Sequence, residues 1–124
     1  MADCIFCKIA NKELPSTIVY ENERILVFRD IHPAAPTHLL IIPKRHIPTL
    51  SHCSHSDTAL LGEIMALIPE LAKKEGIAVE EEGGLSKGGF RVVINAGPDG
   101  QQDVYHLHVH LMGGPRPWKN AAKR

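Results

Sequence analysis

Residues 106–112 alternate histidine with apolar side chains, in the order His106-Leu107-His108-Val109-His110-Leu111-Met112. Successive side chains of a β-strand point to opposite faces, so an extended conformation places the histidines on one face and the aliphatic residues in the core. At a rise of about 3.3 Å per residue, neighbouring imidazoles lie roughly 6 to 7 Å apart. We therefore expect an open histidine face on which one phosphate group could contact two rings.

The alternating histidines allow three interpretations. A solvated polar sheet face is the ordinary explanation for one histidine and the least favoured for three in strict register. A metal site is the second, because neutral imidazole is a common ligand and a His-x-His pair on a strand can hold one ion. Nucleophilic catalysis is the third, because an imidazole with a pKa of about 6.5 is largely neutral at physiological pH and can attack phosphorus.

Other strands are expected before the histidine segment, at residues 17–21, 24–29, 38–42 and 90–95. β-Branched and aromatic residues recur in the first two, which indicates a hairpin. Pro36 and Pro43 bound the third strand, because proline cannot extend a central ladder. An acidic, glycine-rich loop over residues 80–89 precedes the fourth, and the turn Gly97-Pro98-Asp99-Gly100 follows it.

One long helix is expected over residues 56–75. Its apolar residues recur at helical spacing, namely Leu60, Ile64, Leu67, Ile68 and Leu71. Ser54 or Ser56 can cap its start, Gly76 can end it in a left-handed conformation, and Pro69 should kink it. Together these elements predict an α+β domain: a five-stranded, mainly antiparallel sheet buried on one face, one long helix, and a short N-terminal helix or turn.

Length and composition are those of one globular domain. The chain has 124 residues, 44% hydrophobic and 23% charged, so we expect a single domain over residues 1–124 with residues 115–124 as a C-terminal tail. A formal net charge of zero argues against nucleic-acid or anionic-membrane partners. No apolar stretch approaches the roughly 20 residues of a membrane span, and the cysteines do not form the framework of a secreted domain. These features predict a cytoplasmic protein.

The histidine segment resembles the His-φ-His-φ-His-φ-φ signature of the histidine triad (HIT) superfamily, where φ is a hydrophobic residue. Further matching segments are Cys4-Ile-Phe-Cys7-Lys8-Ile9, Phe28-Arg29-Asp30-Ile31, Pro36-Thr37-His38, Ile42-Pro43-Lys44-Arg45-His46 and Val104-Tyr105-His106. Gly113-Gly114 after the triad points to the Hint branch. The resemblance implies a homodimeric purine nucleoside phosphoramidase, or a related nucleotidyl hydrolase, that acts on an AMP-like substrate without an organic cofactor.

The resemblance also implies a catalytic role for each histidine of the signature. His108 matches the nucleophile that takes the nucleotidyl group from the α-phosphorus, giving a covalent nucleotidyl-histidine that water then hydrolyses. His110 matches a phosphate-side partner. His38 matches a residue close to the triad that orients the nucleophile or relays a proton. With His106, these residues make up the predicted catalytic set.

The nucleotide-binding positions implied by the resemblance fall in two segments. Phe28, Asp30 and Ile31 match the ribose-binding segment, in which a carboxylate can accept hydrogen bonds from both ribose hydroxyls. The phosphate-side segment comprises Asn95, Gln101, Gln102 and Asp103. Many relatives of the Hint branch carry a serine where this chain has Asp103, and a carboxylate there repels phosphate.

A structural zinc site is also implied. Cys4-x-x-Cys7 alone is a weak metal signal, because two cysteines near an N-terminus are as often simply buried. Some HIT proteins complete such a pair with a histidine just after the third strand and with the first triad histidine. His46 and His106 fill these positions and give a Cys2His2 set of the closed, structural kind.

Two alternatives to the phosphoramidase remain. One is a dinucleoside polyphosphate hydrolase of the Fhit-like branch, which Gly113-Gly114 and the Trp118 tail disfavour. The other is a non-catalytic, nucleotide-binding regulatory protein. In the Hint branch the C-terminal segment reaches toward the active site of the partner subunit, so Trp118 is expected either there or exposed at the terminus.

Overall fold

The computed structural model describes residues 4–118. The helices are α1 (Ile5–Ala10) and α2 (Thr58–Glu75). The strands are β1 (Ile18–Glu21), β2 (Ile25–Arg29), β3 (Thr37–Pro43), β4 (Glu80–Glu82), β5 (Leu85–Lys87), β6 (Phe90–Val93) and β7 (Val109–Gly113). Short 3-10 turns at Leu50–His52 and His55–Asp57 precede α2. Within the described residues, no helix is both long and apolar enough to cross a membrane.

Five strands form one antiparallel sheet in the order β1-β2-β3-β7-β6. The predicted α+β fold with a five-stranded sheet, one long helix and a short N-terminal helix is therefore confirmed. Leu40 of β3 and Val93 of β6 both lie opposite His110 of β7. The strand that carries the last triad histidine is thus hydrogen-bonded on both sides, which holds its backbone in place.

Both faces of the sheet are covered, whereas the sequence predicted one open face. On one face α2 packs its apolar stripe, including Ile64 and Leu67, against strand residues such as Val109. On the other face a second cluster contains Phe6, Ile9, Leu26, Phe28, Leu40 and Ile42. The first two of these belong to α1, so the short N-terminal helix forms a lid of apolar side chains over the second face.

The long helix starts later than predicted and ends where predicted. Ser54 forms a capping box with Asp57, but it caps the 3-10 turn before the helix, and α2 itself begins at Thr58. Gly76 ends α2 with a φ of 73°, in the left-handed region that favours glycine. Pro69 lies inside the helix, and its predicted kink stays a prediction.

The segment 80–89 is a small hairpin rather than the predicted loop. β4 and β5 pair antiparallel on either side of Gly83 and Gly84, which have φ angles of 59° and 81°. Two successive residues with positive φ form the tight turn that suits a hairpin. The acidic side chains of β4 are exposed, so no burial pattern in the sequence indicated a strand.

The C-terminal tail predicted over residues 115–124 is described only as far as Trp118. The Trp118 indole N–H donates to the Gly114 carbonyl at 2.9 Å. Its half-buried ring packs against the cluster of Ala35 and Met112 in its own chain. In the described chain Trp118 is therefore neither an exposed terminal residue nor extended away from its own domain.

Candidate functional site

The triad histidines are buried, with at most 2% of each residue exposed. Phe6 of α1 covers two of them edge-on, with ring-centroid distances of 6.1 Å to His106 and 5.0 Å to His108. Alternation along one segment shows which side chains share a face, but it carries no information about a distant helix that packs over that face. The prediction of an open histidine face is wrong for this reason.

The triad segment is only partly a strand. β7 begins at Val109, so the strand predicted over residues 106–112 is confirmed only from that residue onward. Just upstream, the Leu107 N–H donates to the Ile47 carbonyl at 2.6 Å, outside the sheet ladder. This break in the strand allows His106 to face a different set of neighbours from the other triad histidines.

Four potential metal ligands meet at one end of the triad and form what we call the Cys–His cluster: Cys4, Cys7, His46 and His106. Their ligand atoms all lie within 4.8 Å of one another. The Cys7 Sγ is 3.2 Å from His46 Nδ1 and 3.5 Å from His106 Nδ1. The Cys4 Sγ is 3.4 Å from His106 Nδ1. The fold thus brings together all the predicted zinc ligands.

The Cys–His cluster fits zinc in both spacing and chemistry. Tetrahedral zinc with Zn–S of about 2.3 Å and Zn–N of about 2.0 Å separates its ligand atoms by roughly 3.3 to 3.8 Å. The measured contacts of 3.2 to 3.5 Å lie close to this range. His106 Nε2–H donates to the Pro43 carbonyl at 2.7 Å, which leaves Nδ1 with the lone pair that a metal requires. Burial lowers the pKa of His106 to about 4, so its ring is neutral at physiological pH.

The thiols of the cluster must lose their protons to bind a metal. Burial, reinforced by a hydrogen bond with Cys4, raises the pKa of the Cys7 thiol to about 11. The thiolate is the form that binds metal, and a bound cation is what allows two adjacent sulfurs to ionise together. Cys53, the remaining cysteine of the chain, is a free thiol outside this cluster.

His108 has its ring orientation and its proton set by the backbone. Its Nδ1–H donates to the His106 carbonyl at 2.7 Å. A neutral imidazole carries one proton, so Nε2 of His108 carries a lone pair. The ring is wedged between Phe6 at 5.0 Å and His110 at 5.1 Å, measured between centroids. A neutral imidazole with its lone pair on a defined nitrogen is the form that can act as a nucleophile.

At the other end of the triad lies a second group, which we call the relay cluster: Asp30, His38 and His110. The Ala34 N–H donates to His38 Nδ1 at 2.9 Å, so the proton of neutral His38 lies on Nε2. His38 Nε2 is 2.9 Å from His110 Nδ1 and 3.5 Å from Asp30 Oδ2. His38 therefore donates to His110, and His110 in turn carries its own proton on Nε2. Of the two roles predicted for His38, these contacts favour proton relay through His110.

The relay cluster is poorly suited to metal binding, although its ligand atoms also lie within 4.8 Å of one another. A metal needs an imidazole lone pair. The lone pair of His38 is on Nδ1, where the Ala34 N–H already donates, and Nε2 faces the other two residues with a proton. The arrangement suits transfer of protons rather than coordination of a cation.

A cavity of about 250 Å³ lies beside the triad, although none of the triad histidines lines it. Its lining includes Phe6, which contacts His108, and Asp30, which contacts His38. The predicted nucleoside-binding residues Phe28, Asp30 and Ile31 all line it. Sequence reasoning missed several other lining residues, among them Ile5, Phe6, Ile9, Leu14, Leu40 and Val104. For Ile5 and Phe6 the available signal was their position as an apolar pair inside Cys4-Ile-Phe-Cys7.

The predicted phosphate-side residues lie in the loop between β6 and the triad. The Asn95 side chain donates to the Gly100 carbonyl at 2.7 Å. Gln102 is buried, and its amide bonds three backbone groups at 2.8 to 3.0 Å. These two side chains therefore shape the loop through backbone contacts. Gln101 and Asp103 are exposed, and phosphate contact by all these residues stays a prediction.

Comparison with known proteins shows what the whole chain resembles. Residues 3–123 match the family described as "Scavenger mRNA decapping enzyme C-term binding". The chain is 47% identical to Protein HitA of Neisseria gonorrhoeae, over 93% of this chain and 99% of that protein. It is 48% identical to a 14 kDa zinc-binding protein of Zea mays, over 89% and 80% respectively. The structure of a HIT family hydrolase from Legionella pneumophila Philadelphia 1 superposes with a TM-score of 0.83 at 46% identity, covering 92% of this chain and 95% of that one.

Proposed function

We propose that this chain, which belongs to the histidine triad superfamily, hydrolyses nucleotides at the α-phosphorus through a covalent nucleotidyl-histidine on His108. The proposed substrates are purine nucleoside phosphoramidates or aminoacyl- and acyl-adenylates, which share an AMP-like group. One observation supports this most directly. His108 Nδ1–H is held by the His106 carbonyl at 2.7 Å, so the lone pair lies on Nε2, in a ring that packs against His110.

The proposed reaction has two steps. His108 Nε2 attacks the α-phosphorus, forming a P–N bond to the ring and breaking the bond to the leaving amine. The amine departs with one added proton, which His110 donates from Nε2 while His38 contacts the opposite nitrogen of the His110 ring. A proton from solvent replaces it on Nε2, so the His110 ring is neutral again. Water then attacks the phosphorus, the electron pair of the P–N bond returns to His108, the displaced water proton goes to solvent, and AMP is released.

The cavity beside the triad supports a nucleoside as the substrate's recognition group. Its walls are mainly apolar, and Phe6 and Phe28 meet edge-to-face at 5.5 Å between centroids. Asp30 contributes the carboxylate, with its Oδ1 accepting the His32 N–H at 2.9 Å. We propose that the purine lies among the apolar residues and that the ribose contacts Asp30.

The test is steady-state hydrolysis of an adenosine phosphoramidate by the wild type and by His108→Ala, with AMP affinity measured on both. We expect turnover by the wild type, a loss of roughly ten-thousandfold in kcat for the variant, and little change in AMP affinity. The intact mass of wild-type protein quenched in base during turnover should include a covalent AMP adduct.

The same assay separates the alternatives. Absence of turnover in the wild type, with AMP still bound, would reject the phosphoramidase proposal and leave dinucleotide hydrolysis or a binding role. Faster cleavage of a dinucleoside polyphosphate than of the phosphoramidate would favour the dinucleotide hydrolase instead. Turnover that persists undiminished in His108→Ala would exclude His108 as the nucleophile.

We also propose that the Cys–His cluster binds one zinc ion in a structural role. All four positions of a tetrahedral ion would be filled by Cys4, Cys7, His46 and His106, which leaves none for substrate. Metal content of the purified protein, measured by mass spectrometry of the dissolved sample, tests this directly. Absence of a bound metal after purification in zinc-supplemented buffer would reject it.

A homodimer that pairs the two sheets is the third part of the proposal. β6 is an edge strand, and its Arg91 and Val92 side chains are exposed in the described chain. An open strand edge is a surface on which a second sheet can add. Sedimentation equilibrium should give twice the chain mass of 13.7 kDa, and a monomer at micromolar concentration would contradict the proposal.

A further inference from the structure

We infer that the Cys–His cluster is a positioning device for the nucleotide: a metal bound there holds α1 against the sheet, and α1 then completes both the cavity and the packing of His108. The inference rests on the proposed function, because it concerns binding of that function's nucleotide. Cys4, Cys7 and His46 do not line the cavity. Any effect of these residues on nucleotide binding must therefore pass through the helix or through His106.

α1 depends on contacts outside itself for its position. It has six residues, far fewer than the roughly 12 to 15 at which an isolated helix becomes marginally stable. Among the described residues, the backbone hydrogen bonds recorded for α1 and the turn after it stay within residues 4–14. Attachment of α1 to the sheet is therefore left to its side chains, which include both cysteines of the cluster.

The helix N-terminus itself involves a metal ligand. Cys4 is the N-cap of α1, and its Sγ accepts the Cys7 N–H at 3.3 Å. A neutral sulfur is a weak acceptor, whereas a metal-bound thiolate carries negative charge at the positive end of the helix. Metal binding therefore strengthens the cap as well as the attachment of the helix.

Phe6 links the cluster to the active site. It lies between the two cysteines in the chain and is 3% exposed. Its ring contacts Phe28 at 5.5 Å and His108 at 5.0 Å, measured between centroids. It also lines the cavity, together with Ile5 and Ile9 of the same helix. Movement of α1 away from the sheet would remove one wall of the cavity and one side of the packing around His108.

His106 provides a second connection. Its imidazole Nδ1 lies 3.4 to 3.5 Å from the two cysteine sulfurs, while its carbonyl accepts the His108 Nδ1–H at 2.7 Å. His106 precedes β7, so the sheet ladder does not hold its backbone. Ligation of the ring therefore fixes the carbonyl that sets the tautomer of His108.

Coupling of this kind is reciprocal. If zinc strengthens AMP binding by some factor, AMP must strengthen zinc binding by the same factor. We expect a factor of roughly 5 to 150, the usual range for two coupled sites. Because AMP contains no scissile phosphoramide, the measurement does not depend on catalysis.

The first experiment uses the wild-type chain. AMP affinity is measured by calorimetry on zinc-loaded protein and after removal of zinc by a chelator, with hydrogen exchange followed in residues 5–14. We expect weaker AMP binding by the factor above and faster exchange confined to this segment. Equal AMP affinity with and without zinc would overturn the inference while leaving the proposed hydrolase intact. No AMP binding by the zinc-loaded protein would overturn both.

A matched pair of variants compares loss of one ligand of the cluster with loss of a cysteine outside it, and neither residue lines the cavity. His46→Gln should lose zinc and bind AMP as weakly as the chelated wild type. Cys53→Ser, which removes a cysteine outside the cluster, should keep both zinc and AMP affinity. Far-UV circular dichroism is recorded for each. If zinc loss unfolds the whole sheet, the metal supports the entire fold and the inference of a local positioning device is overturned.

Discussion

The Cys–His cluster and the relay cluster both bring potential metal ligands within 4.8 Å of one another, yet only the first suits a metal ion. In the first, a backbone carbonyl accepts the proton of His106 Nε2, so Nδ1 presents a lone pair. In the second, a backbone N–H donates to His38 Nδ1, so Nε2 presents a proton. One main-chain group beside each ring distinguishes a ligand from a proton donor.

The clusters also differ in exposure. Cys4, Cys7 and His46 are half-buried, whereas every member of the relay cluster is buried, with Asp30 at the wall of the cavity. His108 lies between the two clusters, bonded to the backbone of His106 and packed against the ring of His110. The proposed nucleophile thus has its ring oriented from the Cys–His side and packs against its proposed proton-transfer partner on the relay side.

The largest expected effect is on kcat, from a substitution in the relay cluster. His110→Ala removes the proposed proton donor, so kcat should fall by roughly 100- to 10,000-fold, the usual worth of general acid catalysis. Zinc content should stay unchanged, because His110 is outside the Cys–His cluster. Steady-state kinetics and metal analysis on the same sample check both points. Loss of zinc in this variant would show that the two clusters are not separate.

Cys7→Ser should weaken zinc binding at the Cys–His cluster. If free zinc is held about a thousandfold above its Kd, binding to the folded state contributes about 4 kcal/mol to the free energy of unfolding. The variant should lose most of that contribution, as measured by urea denaturation with zinc present. Cys53→Ser serves as the control and should change the free energy of unfolding by much less. Equal stability of Cys7→Ser and the wild type would contradict a structural metal.

A smaller decrease in kcat is expected when the backbone N–H that sets the tautomer of His38 is removed. Ala34→Pro deletes the N–H that donates to His38 Nδ1, so the ring can place its proton on the wrong nitrogen. Loss of one hydrogen bond of this kind predicts a decrease in kcat of roughly five- to tenfold. Pro33→Ala, which keeps the Ala34 N–H, should have nearly wild-type kcat. A wild-type kcat in Ala34→Pro would show that catalysis does not depend on the tautomer of His38.

The last prediction is that a change in the relay cluster leaves the zinc stoichiometry unchanged. The chain should bind one zinc ion, and His38→Gln should bind one as well, because the relay cluster does not hold metal. Metal stoichiometry by mass spectrometry, with cobalt substitution to report tetrahedral sulfur ligation by its visible spectrum, tests this. A second ion that disappears in His38→Gln would reverse the interpretation of the relay cluster.

Much of the fold was predictable because the decisive patterns are local. β-Branched and aromatic residues placed β1 and β2, Pro36 marked the start of β3, and helical spacing with Gly76 placed the end of α2, whereas Pro43 is the last residue of β3 rather than its boundary. The residues of the Cys–His cluster and the nucleoside segment were identified through resemblance to a family, and the structure brings each set together. The hairpin at residues 80–89 was missed because its exposed side chains have no burial pattern.

The sequence by itself determined which side chains are available: an alternating histidine segment, a cysteine pair, and enough apolar residues for one sheet and one long helix. Only the tertiary structure decided what each histidine can do. The groups that set their protons, the carbonyl of Pro43 for His106 and the N–H of Ala34 for His38, are backbone groups common to almost every residue. Pro43 lies 63 residues from His106 in the chain. Only folding selects one such group to face a given ring, so composition and spacing contain no trace of the choice.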